Sequence, residues 1–279
     1  MCLDLNFAGI YQSVVHPLKY GLGEIGVSFW FFLPPEDLRR QKTVILQENI
    51  FAHLKAARLK PGDDIVLADG RGRAFAARLL SFEARKQSAD AAILHELLQN
   101  SEPPLSITLF LGITKGEKMD QVVRQTVELG VKKIVPVFTE RTIVRLDKKK
   151  KKVRTRRWQN IAFAAAAQSR RSFVPGISEP LYFEEMLDLF AGEKLEPVIV
   201  PWEEEKETGL MHLIAKMKPP PRAASIFTGP EGGIAPGEMD KLKKYRNIYP
   251  VTLGPRILRA ETAPLAVMAV LMHLWGDLG

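Results

Sequence analysis

The fold prediction depends on residues 225–275, SIFTGPEGGIAPGEMDKLKKYRNIYPVTLGPRILRAETAPLAVMAVLMHLW. This stretch holds two glycine-punctuated loops, each between a predicted strand and a predicted helix. The first loop, TGPEGG at 228–233, follows a short apolar run, 225–228. The second loop, LGPRILRAETA at 253–263, follows a second apolar run, 248–253. Such runs, bounded by turn residues, are typical of buried strands. Because α/β sheets bind ligands at the carboxyl ends of their strands, both loops are predicted to border one ligand site.

The first loop suits close contact between a ligand and the main chain. Three glycines, Gly229, Gly232 and Gly233, leave backbone N–H groups uncovered, where a Cβ would block the approach. Glu231 is the one charged residue there.

The second loop carries two arginines, Arg256 and Arg259, and runs into an almost wholly apolar segment that ends at Trp275. A helix with apolar residues all round is predicted to be buried on every side. Thr262 is its predicted N-cap, and Pro264 is tolerated in the first turn. At about 13 residues the segment is too short to span a bilayer.

Upstream, the pattern changes from short strands to alternating strands and helices. Residues 29–84 contain mainly strand patterns, with a hairpin predicted at Asp69–Gly72. Residues 85–104 are polar, with a brief helix predicted at 89–98, and are interpreted as a linker. The alternation that follows indicates a parallel sheet covered on both faces. The other predicted strands are 29–33, 43–46, 64–68, 73–82, 106–112, 133–138 and 197–201, and the other predicted helices are 53–63, 118–130, 153–169 and 210–217.

Composition narrows the class of protein. The 279 residues, 46% of them apolar, suit one large or two modest soluble domains. One cysteine, Cys2, excludes a disulfide framework, and five scattered histidines give no metal-ligand pairs, so no metal is expected. No nucleotide-binding glycine motif of the Rossmann or P-loop kind is present. The net charge is +8, and eight of the ten residues 148–157 are basic, which favours a polyanionic partner over the alternative of a solvated surface.

The two loop sequences and the closing GDLG, 276–279, resemble the RsmE family of 16S rRNA uridine N3-methyltransferases, in the SPOUT superfamily. The likeness covers most of residues 28–279 and implies an α/β fold. A small PUA-like, RNA-binding β-barrel at 28–84 and the linker at 85–104 would precede a SPOUT methyltransferase domain at 105–279, with a C-terminal trefoil knot. Residues 1–27 precede the likeness and are predicted to be an N-terminal extension; whether they are native stays open.

The resemblance implies a cytoplasmic, homodimeric enzyme that moves a methyl group from S-adenosylmethionine to N3 of a uridine in 16S rRNA, in the small ribosomal subunit. In that interpretation main-chain N–H and C=O groups bind the cofactor. The candidate cofactor-binding residues are Val200, Gly229, Gly233, Leu253, Gly254, Ile257 and Leu258.

Uracil N3 carries a proton at neutral pH, so methylation there builds negative charge that must be stabilised. Arg259 and Arg256 are the candidate catalytic cations for the uracil carbonyls. Glu231 is the candidate base or orienting group. The alternative role for all three residues is an ion pair that braces the loops.

RNA contacts are predicted for basic residues outside the two loops. Arg141 lies in a TER sequence that matches the family's Ser-Glu-Arg, and Arg171 lies in a QSRR turn similar to the family's own. The candidate RNA-binding residues are Arg141, Lys148, Lys149, Lys150, Lys151, Lys152, Arg154 and Arg171. The chain departs from the family pattern at Gln125, where many members carry lysine, and at Ala167, where many carry glutamate, so no role is carried over to either position.

Two other functions stay open at this point. A SPOUT methyltransferase acting on another RNA, such as tRNA, would share the cofactor loops. A non-catalytic RNA-binding assembly factor would share the basic run but would not need the glycine loops.

Overall fold

The computed structural model describes residues 29–40, 42–97, 101–190 and 196–279. The predicted extension, 1–27, lies outside the described residues. Two compact units are present. The first comprises the described residues up to Glu102 together with Ala166–Val174, and the second comprises Pro103–Ala165 and the described residues from Pro175 onward.

The first unit contains a five-stranded sheet in the order β1-β3-β4-β5-β2. β1 and β3 are parallel, and the other neighbours are antiparallel. Its elements are β1 (Trp30–Phe32), α1 (Pro35–Arg40), β2 (Thr43–Gln47), α2 (Glu48–Ala56), β3 (Asp64–Ala68), β4 (Ala74–Glu83) and β5 (Ser88–Glu96). The predicted hairpin between β3 and β4 is confirmed, because the Asp69 carboxylate accepts hydrogen bonds from the N–H groups of Arg71 (2.7 Å) and Arg73 (3.0 Å) and fixes the turn.

Two secondary-structure predictions in this unit are wrong. The helix predicted at 89–98 is instead strand β5, paired with both β4 and β2, and its alternating side chains Ala89 and Ala91 are buried in the core. The helix predicted at 53–63 is α2, which begins at Glu48 and ends at Ala56. In β5, pairing with the neighbouring strands outweighs local propensity, whereas α2 is a helix that lies earlier in the chain than predicted.

Arg171 belongs to the first unit and is not available to RNA, which corrects the predicted role. Its side chain is 3% exposed and pairs with the carboxylate of Glu102, with Nη2 2.5 Å from Oε2. The same carboxylate accepts a hydrogen bond from the N–H group of Phe173 at 3.0 Å. A buried arginine whose charge is matched in this way braces the segment 166–174.

The second unit contains a seven-stranded sheet in which every pair is parallel, as predicted. The order is β12-β10-β11-β6-β7-β8, and β9 also pairs with β7. Its elements are β6 (Ser106–Gly112), α3 (Lys118–Glu128), β7 (Lys133–Phe138), α4 (Lys148–Gln168, whose last residues belong to the first unit), β8 (Gly176–Ile177), β9 (Leu181–Tyr182), α5 (Phe183–Phe190), β10 (Val198–Pro201), α6 (Leu210–Lys216), β11 (Ala223–Thr228), α7 (Pro236–Leu242), β12 (Ile248–Val251) and α8 (Ala263–Trp275).

α4 starts five residues earlier than the predicted helix at 153–169. The basic run is therefore helical and forms the first half of α4. Lysine and arginine are good helix formers, and the Asp147 carboxylate accepts a hydrogen bond from the N–H group of Lys150 at 2.8 Å, next to the first turn.

α8 has the predicted bounds, but the prediction that it is buried on every side is wrong. Pro264, Val267, Met268, Leu271 and Met272 are buried on one side, where α8 packs against α3 and β11. The other side stays open, and Leu274 is 40% exposed. The side chain of Thr262, the N-cap, makes no capping hydrogen bond. No helix in the described ranges is long and apolar enough to cross a membrane.

Candidate active site

The two glycine-punctuated loops meet around one cleft of about 420 Å³ in the second unit, as the sequence predicts. β11 leads into the first loop and β12 into the second, and α3 and β10 supply the other walls. The lining residues are Lys118, Pro201, Glu203, Thr228, Gly229, Pro230, Glu231, Gly232, Gly233, Ile234, Ile257, Leu258, Arg259, Ala260, Glu261 and Ala263.

The glycines of the first loop are required by the loop's own packing. A Cβ on Gly229 would lie 2.8 Å from the carbonyl carbon of Gly233, and a Cβ on Gly112 would lie 2.5 Å from the nitrogen of Pro230. Gly233 has φ +73°, and a Cβ there would collide with the Glu203 carboxylate. The absence of side chains therefore lets the loop fold back on itself and against β6, as well as exposing its main chain.

Glu231 is held by groups on α3 and just before it. Its Oε1 accepts a hydrogen bond from the Lys115 N–H group at 3.1 Å and lies 3.4 Å from Lys118 Nζ. Burial acts to raise the pKa of the Glu231 carboxyl, but the backbone hydrogen bonds of Glu231 and Lys115 and the charge of Lys118 outweigh it and hold the pKa below its ordinary value. A lowered pKa weakens Glu231 as a base and favours the orienting role.

Lys118 bridges the two loops, and sequence reasoning gave it no role. Its Nζ lies 3.4 Å from Glu231 in the first loop and 3.7 Å from Glu261 Oε2 in the second. Glu261 is 14% exposed, so it is well placed to interact with this ammonium group. Glu203 was also missed. The available signal for Lys118 was the sequence KGEK at 115–118, whose last residue begins α3, and its partners become visible only in the folded chain.

The two candidate arginines occupy different places. Arg259 lines the cleft, is 82% exposed, and reaches Glu261 only at 4.0 Å, the limit of an ion pair. Arg256 is exposed, does not line the cleft, and has no ion-pair partner among the residues that the structure describes. Neither arginine forms a close ion pair with a described residue, so the Arg259 side chain can turn towards a ligand in the cleft.

Four of the seven predicted cofactor-binding residues line the cleft: Gly229, Gly233, Ile257 and Leu258. Leu253 and Gly254 lie outside its lining. The Val200 side chain is fully buried in the core of the sheet, and the cleft is lined instead by the next residue, Pro201.

Two polar atoms in the wall of the cleft have no hydrogen-bond partner within the described parts of the chain. They are Thr228 Oγ1, on a residue that is 2% exposed, and Glu261 Oε2. Buried polar groups are nearly always hydrogen-bonded. The cleft therefore suits a ligand that supplies polar groups of its own, next to glycine backbone.

Arg141 supports the first loop, because its Nη1 donates a hydrogen bond to the carbonyl oxygen of Gly232 at 2.8 Å. The neighbouring Glu140 donates its N–H to Glu238 Oε1 at 2.8 Å, and Glu238 Oε2 accepts a hydrogen bond from the Ala235 N–H at 3.2 Å. Burial raises the pKa of the Glu238 carboxyl, although these hydrogen bonds act to lower it. The loop after β7 is thus joined to both ends of the segment 232–238.

The basic half of α4 presents its charge to solvent. Lys148, Lys149, Lys152 and Arg154 have no ion-pair partner in the described ranges, whereas Lys150 lies 3.4 Å from Asp147. Lys148, Lys149 and Lys152, among the predicted RNA-binding lysines, are therefore free to contact phosphate, as a polyanion site requires.

Comparison with known proteins agrees with this geometry. Residues 101–272 match the sequence model of a family described as RNA methyltransferase domain. The chain is 29% identical over 232 residues to ribosomal RNA small subunit methyltransferase E of Bacillus subtilis, covering 82% of this chain and 89% of the relative. It is 30% identical over 230 residues to the protein of that name from Buchnera aphidicola of Acyrthosiphon pisum, covering 82% and 87%. The crystal structure of ribosomal RNA small subunit methyltransferase E from Neisseria gonorrhoeae, bound to S-adenosylmethionine, is 39% identical with a TM-score of 0.78 and covers 90% of this chain and 99% of that chain.

Proposed function

We propose, on the premise that this chain belongs to the RNA methyltransferase family and resembles its ribosomal RNA small subunit methyltransferase E members along most of its length, that it methylates N3 of a uridine in 16S rRNA. S-adenosylmethionine is the methyl donor. The observation that carries the proposal is the cleft between the two loops, which has glycine backbone, a buried Thr228 hydroxyl with no hydrogen-bond partner among the described residues, and an open arginine at its edge.

The cleft suits S-adenosylmethionine, whose amino-acid and ribose groups need hydrogen-bond partners. Main-chain groups of Gly229, Gly233, Ile257 and Leu258 would hold it, and the Thr228 hydroxyl is free to add a hydrogen bond. When bound, the cofactor supplies an activated methyl group on a sulfonium sulfur. The chain's own contribution is to position donor and acceptor and to exclude water from between them.

Arg259 provides the charge that the acceptor base needs. Uracil N3 gives its proton to solvent, the negative charge is shared by the two neighbouring carbonyl oxygens, and the N3 electron pair then takes up the methyl group. A guanidinium matches two such oxygens and stabilises the transition state more than the neutral base. Glu231 and Lys118 hold the two loops in register, and the lowered pKa of Glu231 makes its carboxylate a weaker proton acceptor.

The finer features of the fold follow from the same proposal. The sheet of the first unit serves as a PUA-like RNA-binding domain, and the C-terminal segment forms the trefoil knot of SPOUT enzymes. In support of the knot, the chain leaves β12 at the edge of the sheet, while α8 packs against α3 and β11 farther in.

The protein acts as a homodimer in the cytoplasm, on RNA of the small ribosomal subunit. The open side of α8 supports the dimer, because its apolar residues are only partly covered within the described parts of one chain, and Leu274 is 40% exposed. Light scattering at micromolar concentration should give twice the mass of one chain, and the mass of a single chain would contradict the dimer.

The deciding experiment is transfer of tritiated methyl groups from S-adenosylmethionine to small subunits that lack the modification, with free 16S rRNA and tRNA as alternative acceptors. Mass spectrometry of the nucleosides should find N3-methyluridine in 16S rRNA only. Another methylated base, or methylation of tRNA alone, would overturn the substrate. If calorimetry detects no S-adenosylmethionine binding, the methyltransferase proposal is wrong and the alternative of a non-catalytic RNA-binding protein is favoured.

A further inference from the structure

A pair of aromatic rings lies beside the first turns of α4, and the proposed reaction does not use it. Phe138 ends β7 and Tyr182 ends β9, and the two residues are register partners, so their side chains share one face of the sheet. Their ring centroids are 5.4 Å apart, with the planes tilted by 32°. Tyr182 is 55% exposed, so part of its ring surface is open to solvent.

Lys151 links these rings to the basic half of α4. Its Nζ lies 4.2 Å from the centroid of the Tyr182 ring and 4.9 Å from that of Phe138, close enough for cation–π attraction. Lys148 and Arg154 lie three residues before and after Lys151, on the same side of the helix. On the α4 side, the exposed tyrosine is therefore next to the Lys151 ammonium group, with Lys148 and Arg154 one helical turn away from Lys151.

The charges of Lys148 and Arg154 are available. Lys148 and Arg154 have no ion-pair partner among the described residues, and the two ion pairs of the basic half of α4 are made by Lys150 with Asp147 and by Arg157 with Asp120. A surface that docks another protein is depleted of charge at its centre. The density of positive charge here therefore favours a nucleic acid over a protein partner.

We propose that Tyr182, Phe138 and the basic half of α4 form a site for single-stranded RNA, in which one base stacks on Tyr182 and the adjoining phosphates contact Lys148 and Arg154. The site rests on the proposed function only in taking RNA as the substrate. Single-stranded RNA is bound by the combination found here, cations along the backbone and aromatic rings under the bases. Lysines alone would bind any polyanion, whereas the ring adds a preference for strands that carry bases.

The test compares two ligands of equal charge, a uridine hexanucleotide and a hexanucleotide without bases, binding to the full chain. Wild type should bind the uridine strand about fivefold or more tightly than the abasic strand. Tyr182→Ala should lose most of that preference and bind the abasic strand as wild type does, and Tyr182→Phe should keep it. Leu189→Ala, which removes a similarly exposed side chain from α5, is the matched control and should change neither affinity.

A second measurement reads the site directly, because RNA also has other surfaces to bind. In Tyr182→Trp, the uridine strand should quench the emission of the added tryptophan, measured as the difference from wild type, and polyphosphate should not. Equal quenching by polyphosphate, or an unchanged base preference in Tyr182→Ala, would overturn the stacking. A change in the mass of Tyr182→Ala by light scattering would instead make the ring a contact between copies of the chain, and would also overturn the proposal.

Failure of this site and failure of the proposed function give different results. If wild type methylates small subunits but shows no base preference that depends on Tyr182, the stacking site is wrong and the proposed methyltransferase function is retained. If wild type methylates no RNA but Tyr182 still sets the base preference, the RNA site stands and the methyltransferase assignment is wrong.

Discussion

The Arg141 guanidinium donates a hydrogen bond from Nη1 to the main-chain oxygen of Gly232, 2.8 Å away, in the middle of the first glycine-punctuated loop. The two residues also approach each other along the arginine side chain, since a Cβ on Gly232 would lie 3.1 Å from Arg141 Cβ. An arginine that the sequence offered as an RNA contact thus shapes the wall of the cleft between the two loops.

Replacing Arg141 by alanine should weaken S-adenosylmethionine binding several-fold, because the loop loses its brace, and should leave the affinity for RNA nearly unchanged. Calorimetry with the cofactor and anisotropy with labelled RNA measure the two effects. Arg145→Ala, a nearby arginine, is the control for loss of one positive charge. Lost RNA affinity with normal cofactor affinity would restore the RNA role of Arg141.

Arg259→Ala should keep the fold and near-normal affinity for S-adenosylmethionine, while methylation of small subunits falls by about a hundredfold or more, the scale of losing one charge-stabilising donor. The side chain is 82% exposed and makes no close contact with the loop, so its removal leaves the cleft walls in place. Arg256→Ala, outside the cleft, should lose less activity. If cofactor affinity and activity fall together in Arg259→Ala, the arginine braces the loop instead.

Gly229→Ala should lower both the affinity for S-adenosylmethionine and the stability of the protein, the latter by about 1–3 kcal/mol, because the new Cβ strikes the backbone of Gly233. Thermal unfolding without cofactor and calorimetry with it separate the two losses. Gly237→Ala, where a Cβ meets nothing within 4 Å, is the matched control. A variant that loses cofactor binding at unchanged stability would mean that Gly229 only leaves room for the ligand.

Replacing Lys148, Lys149 and Lys152 by glutamine should flatten the log–log dependence of RNA affinity on salt by about 0.7 for each phosphate that is no longer neutralised. These lysines have no ion-pair partner within the described residues, so their charge is available to phosphate. Lys216, Lys218 and Lys244, changed together, give a control of equal charge elsewhere in the chain. The same slope in both triple variants would show that the basic half of α4 is only a solvated surface.

Glu238 should give the free energy of unfolding a specific pH dependence. Its pKa in the folded protein is raised by burial, so its contribution to stability is full below the unfolded pKa and is lost as the pH rises through the folded pKa. The free energy of unfolding of wild type minus that of Glu238→Gln should therefore decrease from acid towards neutral pH. Denaturant titrations at several pH values measure it, with exposed Glu204→Gln as the control. A difference that increases with pH would contradict the sign.

The parallel sheet and the two loops could be predicted from the sequence because each depends on local patterns. Apolar runs marked β6, β7 and β11, and glycine spacing marked the loops around the cleft. β5 was missed because its alanine-rich sequence has local preferences similar to those of a helix, and only pairing with β4 and β2 makes it a strand.

The side-chain partners of the site could not be predicted, since they join residues far apart in the chain. Lys118 and Glu231 are separated by α3 and most of the sheet, and Arg171 finds Glu102 across 69 positions. A sequence motif identifies an arginine or a lysine but not the carboxylate that neutralises it. The sequence also could not fix which residue at the end of β10 meets the cleft, so Val200 was predicted there although its side chain lies in the core and Pro201 lines the cleft.

The first unit cannot be completed during translation until a segment from later in the chain has been made. Its segment 166–174 supplies Arg171 to Glu102 and donates the N–H of Val174 to the Gly70 oxygen at 3.0 Å, yet it is made long after Glu102. At about 5–20 residues per second, a translating ribosome needs roughly 3–14 s to cover the 69 positions from Glu102 to Arg171. During that interval the nascent sheet lacks the Arg171 partner of Glu102, so this unit, although first to leave the exit tunnel, is completed only after the second has begun to emerge.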